Sequence, residues 1–283
     1  MLEAQIHMLL DKLSNDEFDG ISNPEQFIDE ALKGLKETWM RQLTPSDKNK
    51  FRLRMSNIGR PLCQLQMAAS GAKPKRKKYN FKIQMMIGDA VEAIADVILK
   101  MAGANITGSK TQVKMNVGDV EILGEDDIHI DDKVYDIKSC SPWAFDNKWS
   151  YGYEGLKQSD DFGYVGQLTG YAHAQNKDVG GWIVINKSDG RVAVVDADVP
   201  QDEKDINLFT VQYNVKAVTE KHEFKRQFEP VPDVWRGKPS GRRRLCKSCE
   251  FCDFVATCWP DAEYKAHPDS AAKSPPYYWY IKD

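Results

Sequence analysis

Residues 124–140 read Gly-Glu-Asp-Asp-Ile-His-Ile-Asp-Asp-Lys-Val-Tyr-Asp-Ile-Lys-Ser-Cys. Polar and apolar residues alternate through Asp127–Ile130 and again through Lys133–Ser139, with Asp131-Asp132 between them. That pattern predicts two short strands joined by a tight turn. Side chains alternate across a strand, so Asp136 and Lys138 share a face, and Asp127 lies one turn earlier on the neighbouring strand. Two carboxylates and an amine converging at a sheet end make an oxygen-rich site suited to Mg²⁺ or Mn²⁺, beside a group that stabilises charge. Taken alone, an Asp-x-Lys triplet is more often a surface ion pair. Glu125 and Asp126 compete with Asp127 for the second carboxylate. His129 shares the face of Asp127 and reads as a surface residue.

Outward from this stretch the period changes. Upstream, QVKMNVGDVEIL (112–123) alternates and extends the strands into a meander. Before it, residues 81–103 have helical spacing that ends at Gly103, with Ile83, Met86, Ile87, Val91, Ile94 and Ile98 as the expected buried face. Residues 1–45 read as two helices, the second capped by Asn23 and started by Pro24. Downstream, a helix is expected over 163–176. A hairpin follows over 181–198 with its turn at Ser188-Asp189-Gly190, and a further helix over about 215–227. The order predicts an α/β core over 81–228, a mixed central sheet flanked by helices. A helical N-terminal part (1–80) precedes it and a cysteine-rich C-terminal cap (229–283) follows.

The chain has 283 residues, 41% of them apolar, with a net charge of -3. Its mean hydropathy is -0.56. No apolar run approaches the roughly 20 residues that cross a bilayer, and the N-terminal segment lacks the basic stretch and cleavage site of a secretory signal. A cytoplasmic protein with no membrane partner is expected. The slightly acidic total excludes a wholesale basic coat, but not local patches. Two such patches stand out. Lys73–Lys78 holds five cations in six residues; Arg236, Lys238, Arg242, Arg243, Arg244 and Lys247 place six in 12 with no acid. Trp143, Phe145 and Trp149 follow the Asp-x-Lys strand and suit either base stacking or the core.

Of the six cysteines, Cys246, Cys249, Cys252 and Cys258 fall within 13 residues, whereas Cys63 and Cys140 stand apart. In a reducing compartment such a cluster points to metal, and thiolates favour zinc or iron–sulfur. Either the four clustered thiols form a local site, or Cys249, Cys252 and Cys258 join the distant Cys63. Cys140 reads as a small buried residue.

Four elements then carry a resemblance to the PD-(D/E)XK nuclease superfamily, in the RecB/AddB-like branch that includes the iron–sulfur nucleases of CRISPR adaptation. They are Gly88-Asp-Ala-Val-Glu92, Gly124-Glu-Asp-Asp127-Ile128, Asp136-Ile-Lys138 and Gln167-Leu-Thr-Gly-Tyr171, in the family order. Many relatives have His where Glu92 stands. The segment Ser56–Cys63 also resembles the family's stretch before the active-site helix. The resemblance implies a restriction-endonuclease-like core and metal-dependent hydrolysis of a nucleic-acid phosphodiester. It favours Asp127 as the second carboxylate, because Ile128 follows it. Glu92, Asp127 and Asp136 would hold Mg²⁺ or Mn²⁺, and Lys138 would orient or deprotonate the attacking water and stabilise developing charge. Gln167 and Tyr171 would contact DNA beside the active site. Cys63, Cys249, Cys252 and Cys258 would bind a structural [4Fe-4S] cluster, leaving Cys246 spare. The implied partner is DNA, single-stranded or at duplex ends, gripped by Lys75, Arg76, Lys77, Lys78, Arg242, Arg243 and Arg244. A homo-oligomer or a recombination or repair protein is the further partner expected. With no separate recognition module, an exonuclease is favoured over a sequence-specific endonuclease. The rival expectation is a non-catalytic nucleic-acid-binding protein whose tail holds zinc on four cysteines.

Overall fold

The computed structural model describes residues 2–21, 23–44, 51–158 and 160–282. Helices α1 (Leu2–Ser14), α2 (Pro24–Leu43), α3 (Met55–Ile58), α4 (Leu62–Ala69) and α5 (Phe81–Met101) come first. Strands β1 (Ile106–Ser109), β2 (Gln112–Val117), β3 (Val120–Glu125), β4 (Ile128–Ile130) and β5 (Lys133–Cys140) follow. The chain then runs through α6 (Pro142–Asn147), α7 (Gly152–Gln158) and α8 (Tyr164–Ala174) to β6 (Asp178–Asn186), β7 (Val192–Asp196) and α9 (Gln201–Thr219). The last part holds β8 (Val231–Trp235), β9 (Lys238–Arg244), α10 (Lys247–Phe251), α11 (Val255–Cys258), β10 (Ala262–Ala266) and β11 (Tyr277–Ile281).

The central sheet has the order β1-β4-β5-β6-β7. Its β5–β6 pair is parallel and the remaining pairs are antiparallel. A parallel pair needs a crossover, and α6–α8 supply it. Helices cover both faces of the sheet. On one, Ile128, Ile130, Tyr135, Ile137, Ile183 and Ile185 pack against Val91, Ala95 and Leu99 of α5 and Ile6 of α1. On the other, Val134, Trp182, Val184 and Val195 meet Leu168, Tyr171 and Ala172 of α8 and Val211 and Val215 of α9. The result is a mixed α/β fold with a central mixed sheet flanked by helices.

Several expectations need correction. The meander divides: β2 and β3 leave the central sheet and form a two-stranded sheet of their own. The buried line of α5 is Val91–Ala95–Leu99, whereas Ile83 and Ile94 are 58% and 52% exposed. Val91 keeps its expected place and Ile98 packs, partly buried, against the same cluster, whereas Ile87 is exposed along with Ile83 and Ile94. The expected helix at 215–227 lies earlier, as α9. Its polar first turn hides the apolar period, and it ends with Lys221 at φ 55° and a closing bond from the His222 amide to the Ala217 carbonyl (2.9 Å). This is a Schellman closure with lysine in the place usually held by glycine. At the end of α5 the expected Gly103 does hold that place, at φ 72°. The Arg-rich tail folds into a sheet of order β10-β11-β9-β8.

One contact limits how α8 is seated. Gly163, at φ 76°, precedes α8, and a Cβ on Gly59 would lie 2.1 Å from its carbonyl oxygen. Two backbones touch there, so neither residue can carry a side chain without movement. Gly59→Ala is expected to destabilise the protein by about 2 kcal/mol, as overpacking does. Gly34→Ala is the matched control: Gly34 lies mid-helix in α2 with nothing within 4 Å of a new Cβ. It should be neutral or stabilising by up to about 1 kcal/mol. Urea midpoints at constant slope measure both.

Candidate active site

The two-residue period of β5 puts Asp136 and Lys138 side by side on its α8 face. Asp136 is 3% exposed. The Lys138 ammonium stands 2.5 Å from its Oδ2. Burial drives the Asp136 carboxyl well above the usual carboxylate range; Lys138 opposes the shift, while Asp127 and Glu92 add to it. Burial alone would depress Lys138, but Asp136 and then Asp127 hold it above the ordinary lysine range, as a cation. Its ammonium also lies 5.1 Å from the ring centre of Tyr164, in the first turn of α8.

Asp127 sits just before β4. Its Oδ2 accepts the Ile137 amide (2.8 Å), which fixes the carboxylate against the middle of β5. Glu92 arrives from α5, and burial followed by Asp127 raises its carboxyl. Between these two acids lies Lys110 from the β1–β2 turn, its Nζ 3.0 Å from Glu92 Oε2 and 3.4 Å from Asp127 Oδ1. No motif or spacing singles out Lys110 in the sequence; tertiary closure of its turn brings it here. On α8, Gln167 hydrogen-bonds the Tyr171 side chain, and the Tyr171 hydroxyl is raised by burial, then by Asp127 and Asp136. Glu92, Asp127, Asp136, Lys138, Gln167 and Tyr171 thus come together. Tyr171 is 4% exposed and packs in the core, so it supports the acids from beneath and presents no open surface. Gly124 makes room for it: a Cβ there would lie 2.5 Å from Met55 and 2.9 Å from Tyr171.

His129 is not on the surface. It is 3% exposed, and its Nε2 is 2.7 Å from Asp126 Oδ2. The pairing of β1 with β4 covers it, with Gly108 leaving space for the imidazole. Asp126 also accepts from Gln175 Nε2 (2.7 Å) and from the Thr111 amide (2.9 Å). Its lone pairs are committed to the fold; Glu125, the other contender, accepts from Gln112 and lines the same pocket as Glu92, while Asp127 shares the Lys110 ammonium with Glu92. Among the described residues no three or more His, Cys, Asp or Glu side chains already stand in metal-binding geometry. The donor chemistry nevertheless fits a hard divalent cation. Glu92 and Asp136 are both raised by burial and by the charge of Asp127, a crowding of acid oxygens that a dication would relieve.

The cysteines gather across the chain. Cys63 of α4 lines one small cavity with Cys249, Cys252 and Cys258, together with Pro61, Phe228 and Trp259. Burial, with Cys252 and Cys258 adding to it, pushes the Cys63 thiol up to about 11. Cys246 does not line the cavity, although its Sγ is 3.8 Å from that of Cys249. Neighbouring bonds fix the arrangement: Gln227 Oε1 accepts the Cys63 amide (3.0 Å), and Arg226 donates to the Cys258 carbonyl (2.7 Å).

The basic patches are less free than the sequence suggests. The Lys75 amide donates to the Asp253 carbonyl (2.7 Å), its Nζ donates to the Glu250 carbonyl (3.1 Å), and Lys77 pairs with Asp253 (2.5 Å). Arg242 and Arg244 both face the buried Asp233, at 3.7 and 3.4 Å, and Arg242 also pairs with Asp269. Arg243 donates to the Pro230 carbonyl (2.7 Å). Arg76 and Lys78 remain exposed. Of the aromatics, Phe145 and Trp149 are core residues, whereas Trp143 is 65% exposed.

No family model matches this chain. No curated protein matches it either. Among solved structures, the crystal structure of SSO0001 aligns with 83% of this chain and 94% of its own, at 14% identity and a TM-score of 0.42. A likeness that slight carries no argument.

The two neighbouring aspartates are expected to separate by experiment. Asp126→Ala should destabilise the fold by about 3 kcal/mol, because it strands the buried His129, Gln175 and an amide. Asp127→Asn keeps an acceptor for the Ile137 amide and should shift the denaturation midpoint far less. Urea unfolding of both variants checks the assignment.

Proposed function

We propose that this chain is a metal-dependent deoxyribonuclease, an exonuclease with a PD-(D/E)XK-type core and a structural [4Fe-4S] cluster. The observation that carries the reading is the convergence of Glu92, Asp127 and Asp136, from three separate elements, around the lysine of β5. Glu92, Asp127 and Asp136 are the residues that would hold Mg²⁺ or Mn²⁺. Such an ion polarises a phosphoryl oxygen and offsets charge on the leaving oxygen. Lys138 is held as an ammonium, so its role is to stabilise negative charge on the phosphate in the transition state, rather than to deprotonate water from the resting state. Asp136 keeps that ammonium in place, and the Ile137 amide keeps Asp127 in place.

DNA is the proposed substrate, with Arg76, Lys78 and Trp143 as exposed groups able to meet phosphates and an unpaired base. A cytoplasmic location belongs to the same reading. Among the described residues no helix is long and apolar enough to cross a membrane. The cavity between Cys63 and the Cys249–Cys258 segment supports the long-range cluster over a local zinc site.

Release of nucleotides from end-labelled single- and double-stranded DNA with Mg²⁺ or Mn²⁺ tests the activity. Asp136→Ala and Lys138→Ala are each expected to lower the rate by about 10³-fold or more with DNA binding retained, since both act on the transition state. Wild-type turnover in either variant rejects the assignment.

Protein purified without oxygen is expected to be brown, with broad absorbance near roughly 400 nm, which d¹⁰ zinc cannot give. Cys63→Ser should bleach it and lower its thermal stability, whereas Cys246→Ser should change neither. The reverse pattern would establish a local four-cysteine site.

A further inference from the structure

Lys110 belongs to a turn built to deliver it. The residue adopts φ 48°, the left-handed region, which disfavours a side chain by roughly 1 kcal/mol. The turn is nonetheless stitched to the acidic stretch at three points. The Lys110 amide donates to the Asp127 carbonyl (3.1 Å), the Thr111 amide donates to Asp126 Oδ1 (2.9 Å), and the Asp126 amide donates to the Thr111 carbonyl (3.1 Å). The backbone that carries Lys110 is therefore registered to the carboxylates its ammonium meets.

We infer that Lys110 is an exchangeable counter-cation of the candidate metal site, seated on oxygens of Glu92 and Asp127 that a divalent ion would need, and so sets how tightly that ion binds. The two lysines of the cluster differ in exposure. The Lys138 side chain is 18% exposed and enclosed against Asp136 and Tyr164. That of Lys110 is 51% exposed and lines the open pocket beside Glu92 and Asp127. Its long stem can swing the ammonium into water while the clamped backbone stays still. An ammonium 3.0 and 3.4 Å from two ligand oxygens competes with a dication for the same lone pairs and repels it. Removing the ammonium therefore favours the dication. This role rests on the reading of Glu92, Asp127 and Asp136 as metal ligands.

The test is Mn²⁺ binding to the full chain without DNA, followed by calorimetry and by the paramagnetic resonance of free Mn²⁺. The proteins compared are the parent, Lys110→Gln, Lys110→Gly, Lys110→Arg and Asp127→Asn. Lys110→Gly removes the cation and suits the left-handed backbone, so a folded cation-free variant is available even if glutamine is poorly tolerated there. The cation-free variants are expected to bind Mn²⁺ about tenfold more tightly, or about 1.4 kcal/mol. Lys110→Arg should bind like the parent. If the parent binds at a site that Asp127→Asn abolishes, and the cation-free variants bind no more tightly, the role of Lys110 is overturned and the metal site stands. If neither parent nor cation-free variants show Mn²⁺ binding that depends on Asp127, both the role and the underlying metal-site reading fall.

Discussion

Strand β5 is covered on both faces, and nearly every other feature answers to that. A buried strand in a parallel pair is usually a continuous apolar run, because neither face meets water. Here Val134, Tyr135, Ile137 and Cys140 meet that demand, and Asp136 and Lys138 break it. Taking an ion out of water carries an effective penalty of several kcal/mol even inside a real protein. The two residues can stay only as mutual partners, within a shell that excludes other arrangements. Tyr164 lies beside the ammonium, the carboxylate of Asp127 is tied to the strand's own backbone, and Trp182 stands next to Asp136 in the parallel register. The chemistry of the site and the strain on the fold have the same origin.

That origin was also the legible part of the sequence. Alternation through 128–140 correctly implies β4 and β5, Gly190 marks the β6–β7 turn, and the helical periods locate α5 and α8. What escaped was whatever depends on partners. An isolated helix does not reveal which stripe of its broad apolar surface will face the sheet, and α5 turns Val91, Ala95 and Leu99 fully inward. His129 looks polar and solvent-facing until β1, whose four residues carry little strand signal, closes over it. The Arg-rich strand β9 has no apolar alternation because neither of its faces is fully buried. Lys110 is an ordinary turn lysine until the turn docks. The motif residues were readable because one strand or one helix turn fixes their spacing; the groups that complete the site come from loop closure.

The ends of the chain are interlocked with its middle. α1 packs against the strand pair with Ile6 and hydrogen-bonds through His7 to the Val192 carbonyl (2.9 Å). Residues 55–66 reach both ways, since Met55 and Ile58 fill the core under α8 while Gln66 donates to the His222 carbonyl (3.0 Å). The cysteine cavity sits where this N-terminal segment meets the tail. A bridge there, if formed by the proposed cluster, would close a loop of roughly 190 residues, and closing a long loop removes the most freedom from an unfolded chain.

The bond between Lys75 and Asp253 has a topological consequence. Only residues 76–80 separate that anchor from the first turn of α5. Five residues span at most about 18 Å. The tail is thus on a short leash to the helix that carries Glu92. Within one molecule the tail that carries Cys249, Cys252 and Cys258 therefore cannot travel far from its seat without breaking that bond or pulling on the first turn of α5, whose Val91, Ala95 and Leu99 are buried against the sheet.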